Sequence, residues 1–315
     1  SMLNLMSGND VGVAVGRCVY TQWMNERGGI DADVTVTRLA DDCFLVVAAE
    51  LFHRRVESML RRSALPAGRV HIGDVTSAFT LLSVQGPESR NLLAQITRAD
   101  LGNDAFPYLT AQEIDLHHAF GWALRMSFVG ELGWELYVPT EFAMGVYERI
   151  VEVGARLGLS HAGMETLEST RTEAGRLDYG LDIENSDSPL EAGLAFAIDF
   201  DKPGGFVGRH ALLTQRDARP YRSRLVQFLL EDPEPLLHGE EPILFDGSPV
   251  GYLRSGHYGH TLGGAMGFGY VEHHDGVTAE LVAEGPFEIQ VAGVRHPARA
   301  SLRSMYDPEN LRVRA

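Results

Sequence analysis

The spacing of hydrophobic and polar positions changes period along the chain, and each change marks an element. Between residues 20 and 38 apolar and polar positions alternate in twos, interrupted by Asn25-Glu26-Arg27-Gly28-Gly29. Alternation of this kind belongs to half-buried strands, and paired glycines accept positive φ without steric cost, so the stretch reads as strand, tight turn, strand. Val34, Thr35, Val36 and Thr37 bring β-branched chemistry to the second strand. Ahead of it, Leu3, Leu5 and Met6 before Ser7-Gly8-Asn9-Asp10 read as the tail of a helix and its exit. Behind it come an apolar strand, Cys43–Ala48, and a helix over 49–63. That helix would turn Leu51, Val56, Met59 and Leu60 inward and Arg54, Arg55, Arg61 and Arg62 to water.

Strands at 69–75 and 79–84 follow, then a helix over 87–98 opened by Pro87, with Leu92, Leu93 and Ile96 on one face. Strands at 122–128 and 134–138 lead into a helix over 141–157, with Thr140 as N-cap and Gly158 as stop. Two strands and a helix have then recurred three times, which predicts an α+β architecture of ββα-type units rather than a doubly wound sheet. Residues 163–176 read as a helix, 179–191 as a polar loop and 201–222 as a connector around Pro203-Gly204-Gly205. Beyond it the texture shifts to short strands at 224–230, 242–245, 250–255, 265–271, 278–282 and 287–291, separated by glycines and prolines. Such spacing predicts an antiparallel barrel or sandwich. A boundary near residue 222 divides an α+β body, 1–221, from a β lobe, 222–315.

Composition narrows the function classes. The 315 residues are 44% hydrophobic, enough for a substantial core, and the net charge is −16. A chain this acidic repels phosphate backbones and anionic membrane surfaces, so neither nucleic acid nor membrane is an expected partner. Lys202 is the one lysine among 27 basic residues. Cys18 and Cys43 form neither a disulfide framework nor a zinc pattern, and no apolar run approaches a membrane span. The expectation is a cytoplasmic protein.

The candidate chemistry is carboxylate chemistry. Asp33 opens the second strand of the hairpin beside a backbone that glycines make approachable; by spacing alone it is a carboxylate ending a hairpin in solvent. Glu135, between Trp134 and Leu136 after Gly130-Glu131-Leu132-Gly133, could form paired hydrogen bonds to an N–H and NH₂ edge, or face outward as strand glutamates usually do. Arg171 sits in a helix next to the polar loop, with Glu168 and Glu173 as surface-pair alternatives. The pairs His117-His118 and His273-His274 lack ligand spacing, and His257 and His260 have no cysteine or acidic cluster in sequence to complete a metal site. No metal is expected. Gly264, Gly267 and Gly269 do not fit a dinucleotide motif, and no Gly-x-Ser-x-Gly elbow occurs.

Several of these runs, in order, resemble one family. Asn25-Glu26-Arg27-Gly28-Gly29-Ile30 with Asp33, Gly130-Glu131-Leu132-Gly133-Trp134-Glu135, and Tyr179-Gly180-Leu181-Asp182-Ile183 with Ser188-Pro189-Leu190-Glu191 are similar to motifs of the aminomethyltransferases. That family includes the glycine-cleavage T-protein. The hairpin, and Ser255-Gly256-His257-Tyr258-Gly259-His260-Thr261-Leu262-Gly263, resemble more specifically the folate-binding half of dimethylglycine and sarcosine dehydrogenases. Ser127-Phe128-Val129 departs from the family's Gly-Tyr-Thr lead-in, and Thr170 and Thr172 replace apolar positions beside Arg171.

The resemblance implies a three-lobed body around a tetrahydrofolate site, with the last lobe the barrel, and with several tens of residues of the usual fold absent ahead of residue 1. It implies transfer of a one-carbon unit between a small methylated amine, or its iminium, and tetrahydrofolate. Asp33 would assist the folate nitrogen, Glu135 would hold the pterin, Arg171 would orient an acidic group, and Tyr179 would line the pocket. Asn25 and Glu191 complete the cofactor-binding set. A tetrahydrofolate-dependent O- or S-demethylase and a non-catalytic folate-binding or regulatory relative remain alternatives. A flavin-containing dehydrogenase domain or subunit is the partner the subgroup implies.

Overall fold

The computed structural model describes residues 1–64 and 70–315. Its first sheet is built on the glycine hairpin. Helix α1 (Met2–Met6) precedes β1 (Cys18–Met24), β2 (Ile30–Ala40) and β3 (Cys43–Ala48), which form an antiparallel sheet in that order. In the turn, Asn25 N donates to Gly29 O at 2.9 Å, Gly28 takes φ +86°, and a Cβ on Gly29 would stand 2.3 Å from Asn185 O. Both glycines are therefore required, one by conformation and one by close approach. Val19, Trp23, Ala32, Val34 and Val36 make one face of the sheet and pack on Met6 and on Val56 of α2 (His53–Ser63). Period two then sends Cys18, Tyr20, Gln22, Asp33, Thr35 and Thr37 to the opposite, inner face.

The second sheet comprises β4 (Phe79–Gln85), then, after α3 (Ser89–Leu93), β5 (Ala111–Leu116), β6 (Ala119–Leu124) and β7 (Gly133–Pro139), ordered β4-β7-β6-β5. Leu116, Trp134, Leu136 and Val138 pack on Leu93 of α3 and Ile150 of α4 (Ala143–Gly154). Glu135 and Tyr137 lie between these positions in the strand and so face the other way. Helices α5 (Met164–Glu173) and α6 (Arg209–Asp217) lead to the barrel.

The third unit contains β8 (Ser223–Leu230), β9 (Pro242–Phe245), β10 (Ser248–Gly259), β11 (Gly264–Glu272), a short helix α7 (Ala279–Glu284), β12 (Phe287–Val291) and β13 (Val294–Ser301). The strands close in the order β10-β11-β8-β13-β12-β9 around Val226, Phe228, Ile243, Leu253, Ala265, Phe287 and Ile289. Closure leaves no unpaired edge. The α+β body of three lobes, with an antiparallel barrel last, matches the expectation.

Several local expectations are corrected. Residues 70–75 form no strand, and residue 69 lies outside the described residues. Asp74 accepts Thr76 N at 3.0 Å and pairs with His53, a local turn that competes with any ladder. The expected strand at 278–282 is α7, because the Thr278 hydroxyl accepts Leu281 N and caps a helix there. The connector 201–222 contains α6. A single 3₁₀ turn, Glu50–Phe52, precedes α2 and rotates Leu51 out to 86% exposure. Thr140 spends its hydroxyl on Ser77 O instead of capping α4, and α4 ends at Gly154, four residues before Gly158. The helix expected over 87–98 is confined to α3, and the strand expected at 122–128 runs earlier, as β6. Strands β5 and β13 had no counterpart in the sequence reading.

Candidate active site

The three units converge on the glycine hairpin. Cys18 and Val47 of the first sheet pack against Ala111, Leu124 and Tyr137 of the second, so the inner faces of the two sheets meet. Ile30 packs with Tyr179, Ile183, Leu225 and Phe268, which brings the 179–191 loop and the outer wall of the barrel to the same place.

Asp33 stands on this inner face. Gln22, directly opposite in the ladder, donates from Nε2 to Asp33 Oδ1 at 2.8 Å. Burial pushes the Asp33 carboxyl up to about 6; hydrogen bonds from Gln22 and Tyr20 oppose the shift, and the charge of Asp178 adds to it. The Tyr20 hydroxyl, beside both Gln22 and Asp33, is held well above its ordinary range, first by burial and then by the Asp33 charge. Gln22 is fully buried, and its Oε1 has no hydrogen-bond partner among the described residues. Asp31 shares the face of Asp33 but pairs with Arg55 at 2.8 Å, so its charge is already met. Asp33 is the uncompensated member of the two.

Glu135 occupies the facing sheet, between Ser83 of β4 and Leu124 of β6. Burial raises its carboxyl above the usual range, against a hydrogen bond of 3.1 Å donated by the Tyr137 hydroxyl to Oε2. Its charge reaches the first sheet: burial pushes Cys18 up to about 11, the Thr37 hydroxyl opposes this, and Glu135 adds to it. Two desolvated carboxylates thus look into one interior from two sheets. Glu131, four residues earlier, is a framework residue, accepting from the Tyr306 hydroxyl and pairing with Arg312.

The other expected site residues serve the frame that holds these two. Asn25 organises the hairpin turn: its Oδ1 accepts Arg27 N and Gly29 N, and its Nδ2 donates to Asn185 O. Arg171 is fully buried with all five N–H groups committed, to Glu168 (from Nε at 2.8 Å and from Nη2), Arg176 O, Asp182 and His257. The acidic groups it orients are the protein's own. Tyr179 turns its hydroxyl to Ile30 O and Asp31 O at 3.0 and 3.1 Å, and so clamps the loop on β2. Glu191 accepts from the Ser188 hydroxyl at 2.8 Å, while its carbonyl receives Leu225 N of the barrel.

Histidines assemble differently from expectation. His273 and His274 do come together, rings 4.5 Å apart, with Asp275, because they leave β11 in a turn rather than a strand. A second group, His53, Glu57 and Asp74, is internally paired and bridged to Arg54 and Arg61. A recess of about 540 Å³ lined by His117, His118, Glu141, Phe142, Arg149 and Glu152 contains neither Asp33 nor Glu135.

Sequence reasoning gave no role to Gln22 or Tyr20, which meet Asp33 on the inner face. Period two in β1 places Tyr20 and Gln22 on one face, but which face is inner depends on the second sheet.

Comparison with known proteins gives a consistent result. Residues 1–202 match the GCVT N-terminal domain family, and residues 223–307 match the glycine cleavage T-protein C-terminal barrel domain. The chain is 40% identical over 305 residues to 4-methylaminobutanoate oxidase (formaldehyde-forming) of Paenarthrobacter nicotinovorans, covering 97% of this chain and 36% of that protein. It is 35% identical over 324 residues to mitochondrial sarcosine dehydrogenase of Mus musculus, covering 97% of this chain and 35% of the relative. The chain therefore spans about a third of the length of these relatives. Its fold matches the crystal structure of glycine cleavage system aminomethyltransferase T from Bartonella henselae with a TM-score of 0.80 at 23% identity, over 95% of this chain and 79% of the other.

Proposed function

This chain belongs to the glycine-cleavage T-protein family, and for it we propose tetrahydrofolate-dependent transfer of a one-carbon unit from a small methylated amine or the iminium derived from it. The observation that carries this reading is the pair of desolvated carboxylates, Asp33 and Glu135, set on facing inner surfaces of two sheets. The donor set fits the group. A pterin edge rich in N–H suits a buried carboxylate at Glu135, and the orphaned Gln22 Oε1 is an acceptor waiting for a donor.

Tetrahydrofolate, when bound, supplies the nitrogens that accept the one-carbon unit. Asp33 places a negative charge where positive charge develops, partly desolvated and already oriented by Gln22, which lowers the reorganisation needed during the reaction. Gln22 holds the carboxylate through Oδ1, and a pKa near 6 leaves Asp33 basic at neutral pH and able to take a proton from an N–H. The relatives named above are an oxidase and a dehydrogenase much longer than this chain. An oxidising, flavin-containing domain or subunit that forms the iminium is the partner that fits, and a cytoplasmic location suits two unpaired thiols.

Asp33→Asn tests the reading. With a labelled methyl amine, tetrahydrofolate and an oxidising partner, transfer is expected to slow at least about tenfold with folate affinity largely intact, the signature of an interaction made in the transition state. Equal turnover by variant and parent removes Asp33 from the mechanism. Tight folate binding by a parent that turns over no donor favours a non-catalytic folate-binding protein.

The same substitution has a stability signature. The folded carboxyl, near 6, lies above its unfolded value of 3.8, so its stabilising contribution is full below pH 3.8 and lost as pH rises through 6. At pH 7–8 Asp33→Asn is therefore expected to unfold at higher urea concentration, by on the order of 2–3 kcal/mol. An unchanged midpoint at pH 7 would show that Asp33 carries no such cost.

A further inference from the structure

Lys202, the one lysine of the chain, is 4% exposed and takes no part in the site described above. Burial lowers its pKa to about 8, against the charges of Asp10 and Asp199, so at neutral pH it is an ammonium rich in donors. Those donors go to one short segment. Nζ donates to the carbonyls of Asn4, Ser7 and Asn9, the last at 2.9 Å, with Asn4 Oδ1 at 3.5 Å beside them. The same nitrogen lies over the Phe206 ring, 5.4 Å from its centroid. None of these acceptors is a carboxylate, so a buried cation is held by amide dipoles and a π face.

That segment is laid along the free edge of the first sheet. In the order β1-β2-β3, β1 pairs with β2 on one side, and its other side offers main-chain groups that need partners. Ser7-Gly8-Asn9 supplies them. Gly8 N donates to Gln22 O at 2.9 Å, Asn9 Nδ2 to Tyr20 O at 3.3 Å and Asn9 N to the Thr21 hydroxyl at 2.8 Å. Trp23 Nε1 donates to Ser7 Oγ at 3.1 Å, and Asp199 N returns to Gly8 O at 3.0 Å. Two residues under this cover, Tyr20 and Gln22, are those whose side chains meet Asp33, Gln22 at 2.8 Å. Without the ammonium, the Asn4, Ser7 and Asn9 carbonyls would converge on one point with no donor. The segment could relieve that only by turning away, and its bonds to β1 would be lost with it.

We propose that Lys202 is a positioning residue for Asp33: its ammonium gathers residues 4–9 into a cover for β1, and the cover fixes the strand from which Gln22 holds the carboxylate. It acts through Gly8 and Gln22 and touches no reactant. The one-carbon-transfer reading enters only in making Asp33 the acting carboxylate.

Hydrogen exchange of isotope-labelled glutamine side chains, in the protein without ligand, tests it. Gln22 Nε2, bonded to Asp33, reports the site; Gln227 Nε2, buried and bonded to Thr172 O at 2.6 Å, reports the barrel seam. Lys202→Met keeps the apolar stem and deletes the donors. It is expected to speed exchange at Gln22 at least about tenfold, the effect of losing about two net hydrogen bonds, and to leave Gln227 unchanged. Parent-like exchange at Gln22 overturns the proposal. So does equal acceleration at Gln22 and Gln227, which marks a general loss of stability. If Lys202→Met does not fold, Asn9→Ala decides, since it leaves the ammonium in place and cuts the bond to Tyr20 O. Faster exchange at Gln22 than at Gln227 then supports the proposal, and no change overturns it. On the one-carbon-transfer reading, kcat for transfer falls in the same variant while KM for the folate is kept, and an unchanged kcat also overturns the proposal. A parent that transfers no one-carbon unit refutes that reading instead, and exchange at Gln22 then decides the role of Lys202.

Discussion

Glu135→Gln is expected to weaken tetrahydrofolate binding by about 2–5 kcal/mol, the range found when one partner of a buried charged pair is removed. The size follows from the setting. Glu135 is desolvated between β4 and β6, and the Tyr137 hydroxyl on Oε2 is the sole hydrogen-bond partner of its carboxylate among the described residues. Glutamine keeps the shape but turns one acceptor oxygen into an NH₂, which would face the N–H groups of a pterin donor to donor. The loss should appear in calorimetric affinity, while the fold is kept or strengthened. Because burial raises the folded Glu135 carboxyl above its ordinary value, its ionisation costs stability once pH exceeds that raised value, and the neutral amide removes the cost. A Glu135→Gln protein that binds tetrahydrofolate as tightly as the parent would place pterin recognition elsewhere.

Arg171→Leu should be the most damaging single change to stability, on the order of 3–5 kcal/mol. The guanidinium is fully buried, and its removal strands Asp182, equally buried, and Glu168 without their cation. Leucine fills part of the volume but supplies none of five donors. Arg171→Lys should also be destabilising, because a point charge cannot replace a planar fork that reaches Glu168, Asp182 and Arg176 O together. Urea midpoints for parent and both variants decide the matter. A leucine variant with the parent's midpoint would mean that the two acids find compensation without Arg171.

Most of the frame could be read from the chain because its signals are local. A glycine pair that must turn, β-branched alternation in β2 and turn-punctuated strands in the barrel specify themselves over a few residues. What escaped depended on partners distant in sequence. The run Thr278-Ala279-Glu280-Leu281-Val282 is short enough for strand or helix, and a single hydroxyl, that of Thr278, settles it as helix. Residues 70–75 have strand composition, yet Asp74 spends its carboxylate on Thr76 N and His53 in a local turn. The site divides the same way. Asp33 and Glu135 were singled out through resemblance, since their motifs surround them, and the structure sets both on the inner faces of their sheets. Tyr179 stood in a well-matched motif and Arg171 in one altered at Thr170 and Thr172, and the polar groups of both are spent on Asp182, Glu168 and the β2 carbonyls. Gln22 stood inside the resembling hairpin run but was given no role; only the meeting of the two sheets makes its face the inner one and leaves its Oε1 without a partner among the described residues.

The contacts of α5 have a consequence for how the molecule comes apart. Ser169 Oγ donates to Tyr258 O at 2.6 Å, Gln227 Nε2 to Thr172 O at 2.6 Å, and Glu173 Oε1 receives the amides of Thr261 and Leu262 at 2.8 Å each. Ser255 of β10 donates to Asp182, itself the partner of Arg171. Every one of these bonds crosses from the body to the barrel, two of them buried and three partly so, and opening the seam exposes unpaired polar groups on both sides at once. The barrel therefore cannot loosen as a private event. Fluctuations large enough to free the Thr261 and Leu262 amides must also release α5, and with it the loop whose Tyr179 grips the glycine hairpin. Thermal motion at the far end of the barrel is thereby coupled to the placement of Asp33, and the two ends of the chain share one cooperative unit of unfolding.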